Sequence, residues 1–470
     1  MNYISQMKLL CAYILLLVFT SLTLTGAAQT GMPAGWQKAI DVFSHDTALR
    51  YAGWSVVVAD ANTGKILTER QGDLGLPAAS TQKIFTSIAA YALLGRQYQF
   101  ETKWGYTGNI RDGVLSGDLV LMPSGDPSFG SWRYAGSRPE VILDSLVAAV
   151  KKAGIVRVTG KLRIMHIRWE NSIPDGWIWQ DIGNYYGAGA YALNWRENQF
   201  DLVFESPDKI GEQTKVISTR PAFLEGFGVR NEVLSGAAGS GDNSIIYLAP
   251  GADSGWVSGT IPVREKGFEV SGSLPDPERQ FLAELRQQLN RNGVPVLQEG
   301  GPASDQQTTL WTYRSPPLDS LNYWFLRKSI NLYGEALLKA IAGKAGHTAS
   351  TASGVEVLRN FWQQQGIDQH AIMVIDGSGL SPQNRITCRS LVSALLYAAK
   401  QPWFPGFYAS MPVYNGMRLK SGSISGSRAF AGYHRSANGR EYVLAVVANN
   451  YSCSSSQIVR KMFELLDQLK

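Results

Sequence analysis

Two side chains with nucleophilic and basic potential, Ser80 and Lys83, lie three residues apart at the start of an apolar segment. Residues at this spacing on a helix project from one face. The segment that follows is predicted to be a buried helix, because apolar side chains recur at helical spacing from Ile84 to Leu93. A lysine on such a face is poorly solvated unless its amine is paired or used. The pair could therefore activate a serine, and the alternative is a helix-capping serine beside a solvent-reaching lysine.

A second polar pair, Ser329 and Asn331, lies between two apolar helical runs, LDSLNYWFLRK and LYGEALLKAIAG. It could direct both side chains into a cleft, or it could form a helix–helix turn closed by local hydrogen bonds. The third candidate is Lys420-Ser421-Gly422, which we predict to open a strand. There the glycine would let a ligand approach the backbone, and the lysine with its neighbouring hydroxyl would receive a carboxylate. The alternative is an edge-strand lysine followed by a turn.

The three motifs follow one another as Ser-x-x-Lys, Ser-x-Asn and Lys-Ser-Gly, on a predicted helix, turn and strand. This order resembles the motif set of the penicillin-recognising serine acyltransferases. More specifically, the chain is similar to the D-alanyl-D-alanine carboxypeptidases/endopeptidases of the penicillin-binding-protein-4 type, peptidase family S13. The resemblance covers nearly all of the predicted mature chain, including a long insertion between Ser80 and Ser329. It rests on the phrases SGDLVLMPSGDPSF, GWIWQDIGNYYGAGAYALNWREN, LPDPERQF, SPPLDSLNYWFLRKSINLYGEALLK and IDGSGLSPQN.

The resemblance implies catalytic roles for five side chains. Ser80 would be the acyl-accepting nucleophile and Lys83 its activating base, which requires burial and neighbouring cations to lower the pKa of the amine toward neutrality. Lys420 is a suitable neighbouring cation. Ser329 would relay the proton to the leaving D-alanine amine, and Asn331 would hold the peptide amide.

The resemblance also implies how substrate is bound. Lys420 and Ser421, beside Gly422, would bind the terminal carboxylate of a peptidoglycan stem peptide. The backbone N–H groups of Ser80 and Ser423 would form an oxyanion hole, worth roughly 3 kcal/mol per donor. β-Lactams would act as acylating inhibitors, and a water would hydrolyse the acyl-enzyme without a cofactor. We expect no metal site, because the histidines do not have the spacing of metal ligands. They are His45, His166, His347, His370 and His434.

Three positions depart from the pattern of the resembled family. Met165, Pro382 and Ser425 stand where better-known members carry larger or charged residues that hold the charged end of a diaminopimelate side chain. Because all three are uncharged here, we expect catalysis to be intact and the preferred peptide, or the balance of carboxypeptidase to endopeptidase activity, to differ.

Three acidic residues near these motifs are kept out of the predicted site. Asp126 and Asp376 are flanked by glycine in turn-forming phrases, so we expect them to be turn or capping residues. Glu335 follows Asn331 by four residues but lacks the placement of a deacylating glutamate of a β-lactamase.

The predicted fold class is α/β, a penicillin-binding-protein/serine β-lactamase-like domain in which helices cover an antiparallel sheet and a mostly β region is inserted. The hairpin WSVVVADANTGKILTER near one end, and two strands LKSGSISGSRAFAGYHR and EYVLAVVANN near the other, predict one sheet built from both ends. The predicted divisions are a signal peptide at 1–28, a catalytic domain at 29–99 and 311–470, an inserted domain at 100–206 and 272–310, and a nested insertion at 207–271.

Composition and the first residues bear on compartment and partners. A charged start, an apolar run and a small-residue site ending at Ala28 predict a cleaved signal peptide, export to the periplasm and no stable membrane span. The net charge of +6 is scattered and argues against a nucleic-acid partner. Cys388 and Cys453 could pair in an oxidising compartment, but their pairing is left open. No sequence feature indicates an oligomeric state.

Two rival functions remain open from the sequence. One is a penicillin sensor or wall-binding scaffold that is acylated but deacylates slowly. The other is a β-lactamase or esterase, which the long insertion disfavours.

Overall fold

The computed structural model describes residues 32–298 and 307–470 of the chain. The predicted signal peptide therefore lies outside the described residues. Across the two described ranges, no helix is both long and apolar enough to cross a membrane.

The α-helices of the described residues are α1 (Trp36–Ser44), α2 (Lys83–Leu94), α3 (Pro139–Lys152), α4 (Trp179–Ile182), α5 (Pro277–Arg291), α6 (Leu318–Arg327), α7 (Asn331–Lys344), α8 (Thr351–Gln364), α9 (Cys388–Ala399), α10 (Phe404–Ser410) and α11 (Ser455–Leu466). The strands are β1 (Gly53–Asp60), β2 (Ile66–Arg70), β3 (Glu101–Tyr106), β4 (Asn109–Arg111), β5 (Val114–Ser116), β6 (Leu119–Met122), β7 (Arg157–Val158), β8 (Leu162–Ile164), β9 (Gln199–Glu205), β10 (Lys215–Arg220), β11 (Gly228–Gly236), β12 (Ile245–Tyr247), β13 (Ser254–Pro262), β14 (Lys266–Ser273), β15 (Thr308–Arg314), β16 (Ile372–Met373), β17 (Arg385–Ile386), β18 (Val413–Tyr414), β19 (Met417–Ile424), β20 (Ser427–Arg435) and β21 (Glu441–Asn449).

A six-stranded antiparallel sheet joins the two ends of the chain, in the order β18-β19-β20-β21-β1-β2. The prediction of one sheet built from both ends is confirmed. Side chains alternate across β1, so Val57 and Ala59 pack against α2 and α7–α9 while Val56 and Val58 pack against α1 and α11. Strand β1 is therefore buried on both faces, which explains its continuous apolar run.

The region between Ser80 and Ser329 adds separate, mostly β layers. A four-stranded sheet, β15-β3-β6-β8, packs on α3 and α5 through side chains such as Trp104, Leu146 and Phe281. Strands β9–β14 form two three-stranded sheets, which share another core that contains Phe200 and Val257. The exact domain boundaries given above remain a prediction.

The carboxyl-terminal strands differ from the prediction in two ways. The run LKSGSISGSRAFAGYHR forms two strands, β19 and β20, because Ser425 and Gly426 make a two-residue hairpin loop in which Gly426 has φ of +70°. Lys420 lies in the middle of β19 and does not open it. The predicted turn at Asn438 and Gly439 is confirmed between β20 and β21.

The two cysteines of the described residues are both free thiols. Cys388 is buried at the start of α9, and burial raises the pKa of its thiol to about 12. Cys453 is half-buried just before α11. The disulfide that the sequence left open is therefore not formed.

Candidate active site

Ser80 lies in a tight turn that leads into the buried helix α2. The turn is a 3-10 helix, Ala79–Gln82, in which Ala79 has a left-handed φ of +47°. Two hydrogen bonds hold it: Thr81 Oγ1 donates to Ala78 O at 2.6 Å, and Gln82 Nε2 donates to Asp376 Oδ1 at 3.0 Å. The predicted helix is confirmed, with the serine one turn ahead of it.

Lys83 is fully buried and aims its amine at the serine hydroxyl. Its Nζ lies 2.9 Å from Ser80 Oγ, 2.6 Å from Asn331 Oδ1 and 2.7 Å from Ser378 O. The last two atoms can only accept a hydrogen bond. A neutral amine, which has two hydrogens, would spend both on them and turn its lone pair toward Ser80 Oγ. The geometry therefore suits a base directed at the serine.

The pKa of Lys83 is set by two opposing effects. Burial lowers it from 10.5 to about 7, whereas the carboxylates of Asp376 and Glu335 raise it. Burial, and then the nearby charge of Lys83, also hold the pKa of Lys420 well below its usual range. We expected burial and a neighbouring cation such as Lys420 to lower the pKa of Lys83 together; burial is the cause that lowers it, and the charges that act on it are the two carboxylates.

The second and third motifs meet each other beside this pair. Ser329 lies between α6 and α7 with a left-handed φ of +59°, a conformation that costs about 1–3 kcal/mol outside glycine. Lys420 Nζ donates to Ser329 Oγ at 2.9 Å and to Ser421 O at 2.8 Å. Since Lys83 already contacts Asn331, the structure brings all five predicted catalytic side chains together.

Gly422 has a structural reason that differs from the predicted one. A Cβ at this position would lie 2.2 Å from Ala78 O and 3.2 Å from Ser80 N, so β19 packs directly against the serine turn. The close approach at Gly422 is thus made by the chain's own backbone, and substrate binding at this position stays a prediction. Its neighbours reach outward, since Ser421 Oγ bonds Tyr414 Oη at 3.2 Å and Ser423 is exposed.

An open cleft of about 770 Å³ contains Ser80. Its walls come from the α6–α7 junction, the end of β19 and the inserted segment 178–186. Asn331 Nδ2 donates to Tyr186 O at 2.7 Å and so ties the insertion to the second motif. Of the three departing positions, Pro382 and Ser425 line the cleft, whereas Met165 is not among its lining residues.

Of the two acids predicted to be turn or capping residues, Asp376 lies close behind the site. Asp376 is buried and accepts five hydrogen bonds, from Gln82 Nε2, Trp177 Nε1, Gly379 N, Ser381 N and Asn384 Nδ2. It organises the loop 376–384, as expected of a turn residue. Asp126 likewise accepts from Ser128 N and Oγ.

Glu335, which was kept out of the predicted site, lies close enough to Lys83 to act on its charge. It is buried in α7, accepts from Gly377 N at 3.0 Å and raises the pKa of Lys83. Its position one helical turn after Asn331, on the same face, is the signal that could have revealed it. Within residues 32–298 and 307–470, no group of three or more His, Cys, Asp or Glu side chains is placed to hold a metal ion.

The fold is that of the penicillin-binding proteins. Over 91% of this chain and 98% of the other, it matches the crystal structure of penicillin binding protein 4 (dacB) from Haemophilus influenzae, with a TM-score of 0.74 and 24% sequence identity. The predicted fold class is thereby confirmed.

The sequence model of the D-Ala-D-Ala carboxypeptidase 3 (S13) family matches residues 36–416, and the chain belongs to that family. It is 26% identical over 420 residues to the D-alanyl-D-alanine carboxypeptidase DacB of Haemophilus influenzae, covering 84% of this chain and 85% of the relative. It is 27% identical over 455 residues to the D-alanyl-D-alanine carboxypeptidase of Actinomadura sp. strain R39, covering 88% and 81%. Family membership confirms the predicted class, a serine-type D-Ala-D-Ala carboxypeptidase. The match ends before Lys420, so the third motif rests on its sequence and its place in the site.

Proposed function

We propose that this chain removes the terminal D-alanine from peptidoglycan peptides ending in D-Ala-D-Ala, through an acyl-enzyme on Ser80. The observation that carries the proposal is the 2.9 Å contact of Lys83 Nζ with Ser80 Oγ, made by an amine whose other contacts are acceptors. The same chemistry on a cross-linked peptide would be endopeptidase activity.

The side chains divide the reaction between them. Lys83 takes the proton of Ser80 as Oγ bonds to the carbonyl carbon of the penultimate D-alanine. The C–N bond to the terminal D-alanine then breaks, and the leaving amine receives that proton through Ser329, which Lys420 orients. The N–H groups of Ser80 and Ser423 stabilise the oxyanion. A water finally cleaves the Ser80 ester and restores the hydroxyl.

Mass spectrometry of the protein with penicillin and with a D-Ala-D-Ala peptide tests this function. We expect a covalent penicillin adduct, release of D-alanine from the peptide, and loss of both in Ser80→Ala. Ser145→Ala, at a half-buried serine of α3 whose hydroxyl donates to Val141 O, is the matched control. Persistent acylation without D-alanine release would indicate the sensor, and rapid turnover of penicillin would indicate a β-lactamase. D-alanine release by Ser80→Ala would refute the proposal.

We also propose that the cleft does not bind the free amine of a diaminopimelate side chain in the substrate. Pro382 and Ser425 support this, because both line the cleft and neither carries a charge. The test compares a pentapeptide with a free amine against its N-acetylated form. Similar kcat/KM values are expected, and a strong preference for the free amine would contradict the proposal.

We further propose that the chain is exported and acts in the periplasm, on the strength of the predicted signal peptide. Fractionation of cells expressing the full chain, with sequencing of the mature amino terminus, tests this. The expected product begins after Ala28 in the periplasmic fraction, and an uncleaved cytoplasmic product would contradict it.

A further inference from the structure

One cation on the cleft wall has no role in the chemistry above. Arg133, on the loop between β6 and α3, lines the cleft with only 18% of its side chain exposed. Its Nε donates to both carboxylate oxygens of Glu197, at 2.9 and 3.1 Å. Its guanidinium carbon lies 5.4 Å from the ring centre of Trp132 and 5.3 Å from that of Trp324. The side chain is thus fixed in position by one carboxylate and two indoles.

The two terminal nitrogens of this guanidinium are available to a ligand. In the described part of the chain neither has a hydrogen-bond partner, and neither is sealed from solvent. Terminal N–H groups held in one plane match the two oxygens of a carboxylate. Other arginines of the inserted region use such nitrogens on acids, as Arg196 does on Glu284 at 2.8 Å.

Glu197, the carboxylate that holds Arg133 in position, also contacts the helix that carries Asn331. Glu197 also accepts from Ser131 Oγ at 2.7 Å and from Tyr333 Oη at 2.8 Å. Tyr333 lies on α7 two residues after Asn331. Glu197 is the middle of three consecutive left-handed residues, with φ of +54°, so the backbone is strained where it presents this carboxylate.

The charges that line the cleft favour an anion. Arg133, Lys328 and Arg428 contribute three cations, against the two carboxylates of Asp181 and Glu197. Glu197 is already engaged by one arginine and two hydroxyls. An incoming carboxylate therefore meets a wall of net positive charge.

We propose that Arg133 binds a second carboxylate of the peptide substrate, apart from the one next to the scissile bond. This inference rests on the proposed function, since the peptide supplies the ligand. An extended peptide advances about 3.3–3.6 Å per residue, so a carboxylate two or three residues from the scissile bond spans roughly 7–11 Å along the cleft. That carboxylate belongs either to the acyl-donor peptide or to the leaving peptide of a cross-link.

The test uses D-Ala-D-Ala peptides in matched pairs, with the extra carboxylate either free or amidated. One pair carries it on the donor side, and a cross-linked pair carries it on the leaving side. For one pair we expect the wild-type kcat/KM to favour the free carboxylate by about 10-fold or more. Arg133→Met should abolish that preference by slowing only the free-carboxylate peptide, and the pair affected identifies the source.

Two further variants separate recognition from stability. Arg133→Lys keeps the positive charge but loses the planar pair of N–H donors, so it should lose part of the preference for the free carboxylate. Arg138→Met removes an exposed arginine of the same loop and should behave as wild type. Penicillin acylation reports whether each variant is folded, and if Arg133→Met is not acylated, Arg133→Lys decides.

Different outcomes would overturn the Arg133 proposal and the proposed carboxypeptidase function. If wild type releases no D-alanine from the amidated peptides, the proposed function fails. If it does release D-alanine but shows no carboxylate preference in either pair, the Arg133 proposal is overturned. It is equally overturned if a folded Arg133 variant slows free and amidated peptides alike.

Discussion

Replacing Lys83 with arginine should abolish acylation of Ser80, while wild type should be acylated faster as pH rises through about 7. Burial lowers the pKa of Lys83 to about 7, so its amine becomes neutral near physiological pH. Arginine keeps the charge and can donate to the same acceptors, but it stays protonated in proteins. The substitution thus separates the charge of the residue from its capacity to accept a proton.

The magnitudes follow from the fraction of neutral amine. With a pKa of about 7, roughly 1% is neutral at pH 5, about 9% at pH 6 and about 91% at pH 8. The wild-type rate should therefore rise almost tenfold per unit below pH 6 and level off above pH 8. The guanidinium of an arginine titrates far above pH 8, so only a minute fraction of it is neutral there, and the variant should be at least about 10,000-fold slower.

Ionisation of Glu335 should change the pH dependence of acylation over the same range. Burial raises the pKa of its carboxyl to about 7. As this carboxyl loses its proton, its negative charge favours the protonated amine of Lys83. The rise in rate should therefore be more gradual between pH 6 and 8 than for an isolated lysine.

The assay is stopped-flow acylation by a fluorescent penicillin between pH 5 and pH 9.5, with Lys83→Met as a second variant that has no amine. Both variants should be inactive at every pH, with circular dichroism confirming that they fold. Three results would refute the reasoning: a wild-type rate independent of pH between 5.5 and 8, a rate still rising tenfold per unit above pH 9, or an arginine variant within 100-fold of wild type.

Three other predictions concern the frame around the site. Gly422→Ala should slow acylation at least 100-fold and destabilise the fold by about 1–3 kcal/mol, because its Cβ would meet Ala78 O. Gly228→Ala, with open space around the glycine, should do neither. Acylation rates and urea unfolding would test both variants. Lys339→Met should lower the free energy of unfolding by about 2–4 kcal/mol, since the buried amine donates to three carbonyls of the inserted region, and an unchanged urea midpoint would contradict this. Thiol labelling should modify Cys453 in the native protein and Cys388 only after unfolding, and an unfolding temperature lowered by reductant would reveal a disulfide.

The motifs were predictable because residue type and order carry most of their information. Ser80 with Lys83 opens an apolar helix, and Ser329 with Asn331 separates two more, so each setting is local and periodic. Their convergence is a different matter. The contact between Lys83 and Asn331 joins residues 248 positions apart, and such a distance is fixed by packing of α2 on α7, which no local pattern records.

The errors arose where a local pattern had two solutions. Alternating residues continue through Ser425 and Gly426, so the run was predicted as one strand although that dipeptide suits a tight turn. A glycine in a strand can admit a ligand or another backbone, and the contact of Gly422 with the Ser80 turn is set by tertiary packing that no local pattern records. The contact of Glu335 was not predicted, because its partner, Gly377 N, belongs to a loop 42 residues further along the chain.

The balance around Lys83 has a chemical logic that joins these details. Burial alone would push the pKa of the amine further down, and the amine would then be neutral but a weaker base. Full exposure would give a stronger base that is almost entirely protonated at neutral pH. General bases work best when their pKa lies near the working pH. Asp376 and Glu335 raise the pKa that burial has lowered, so the loop and helix behind the site adjust the strength of the base without touching the serine.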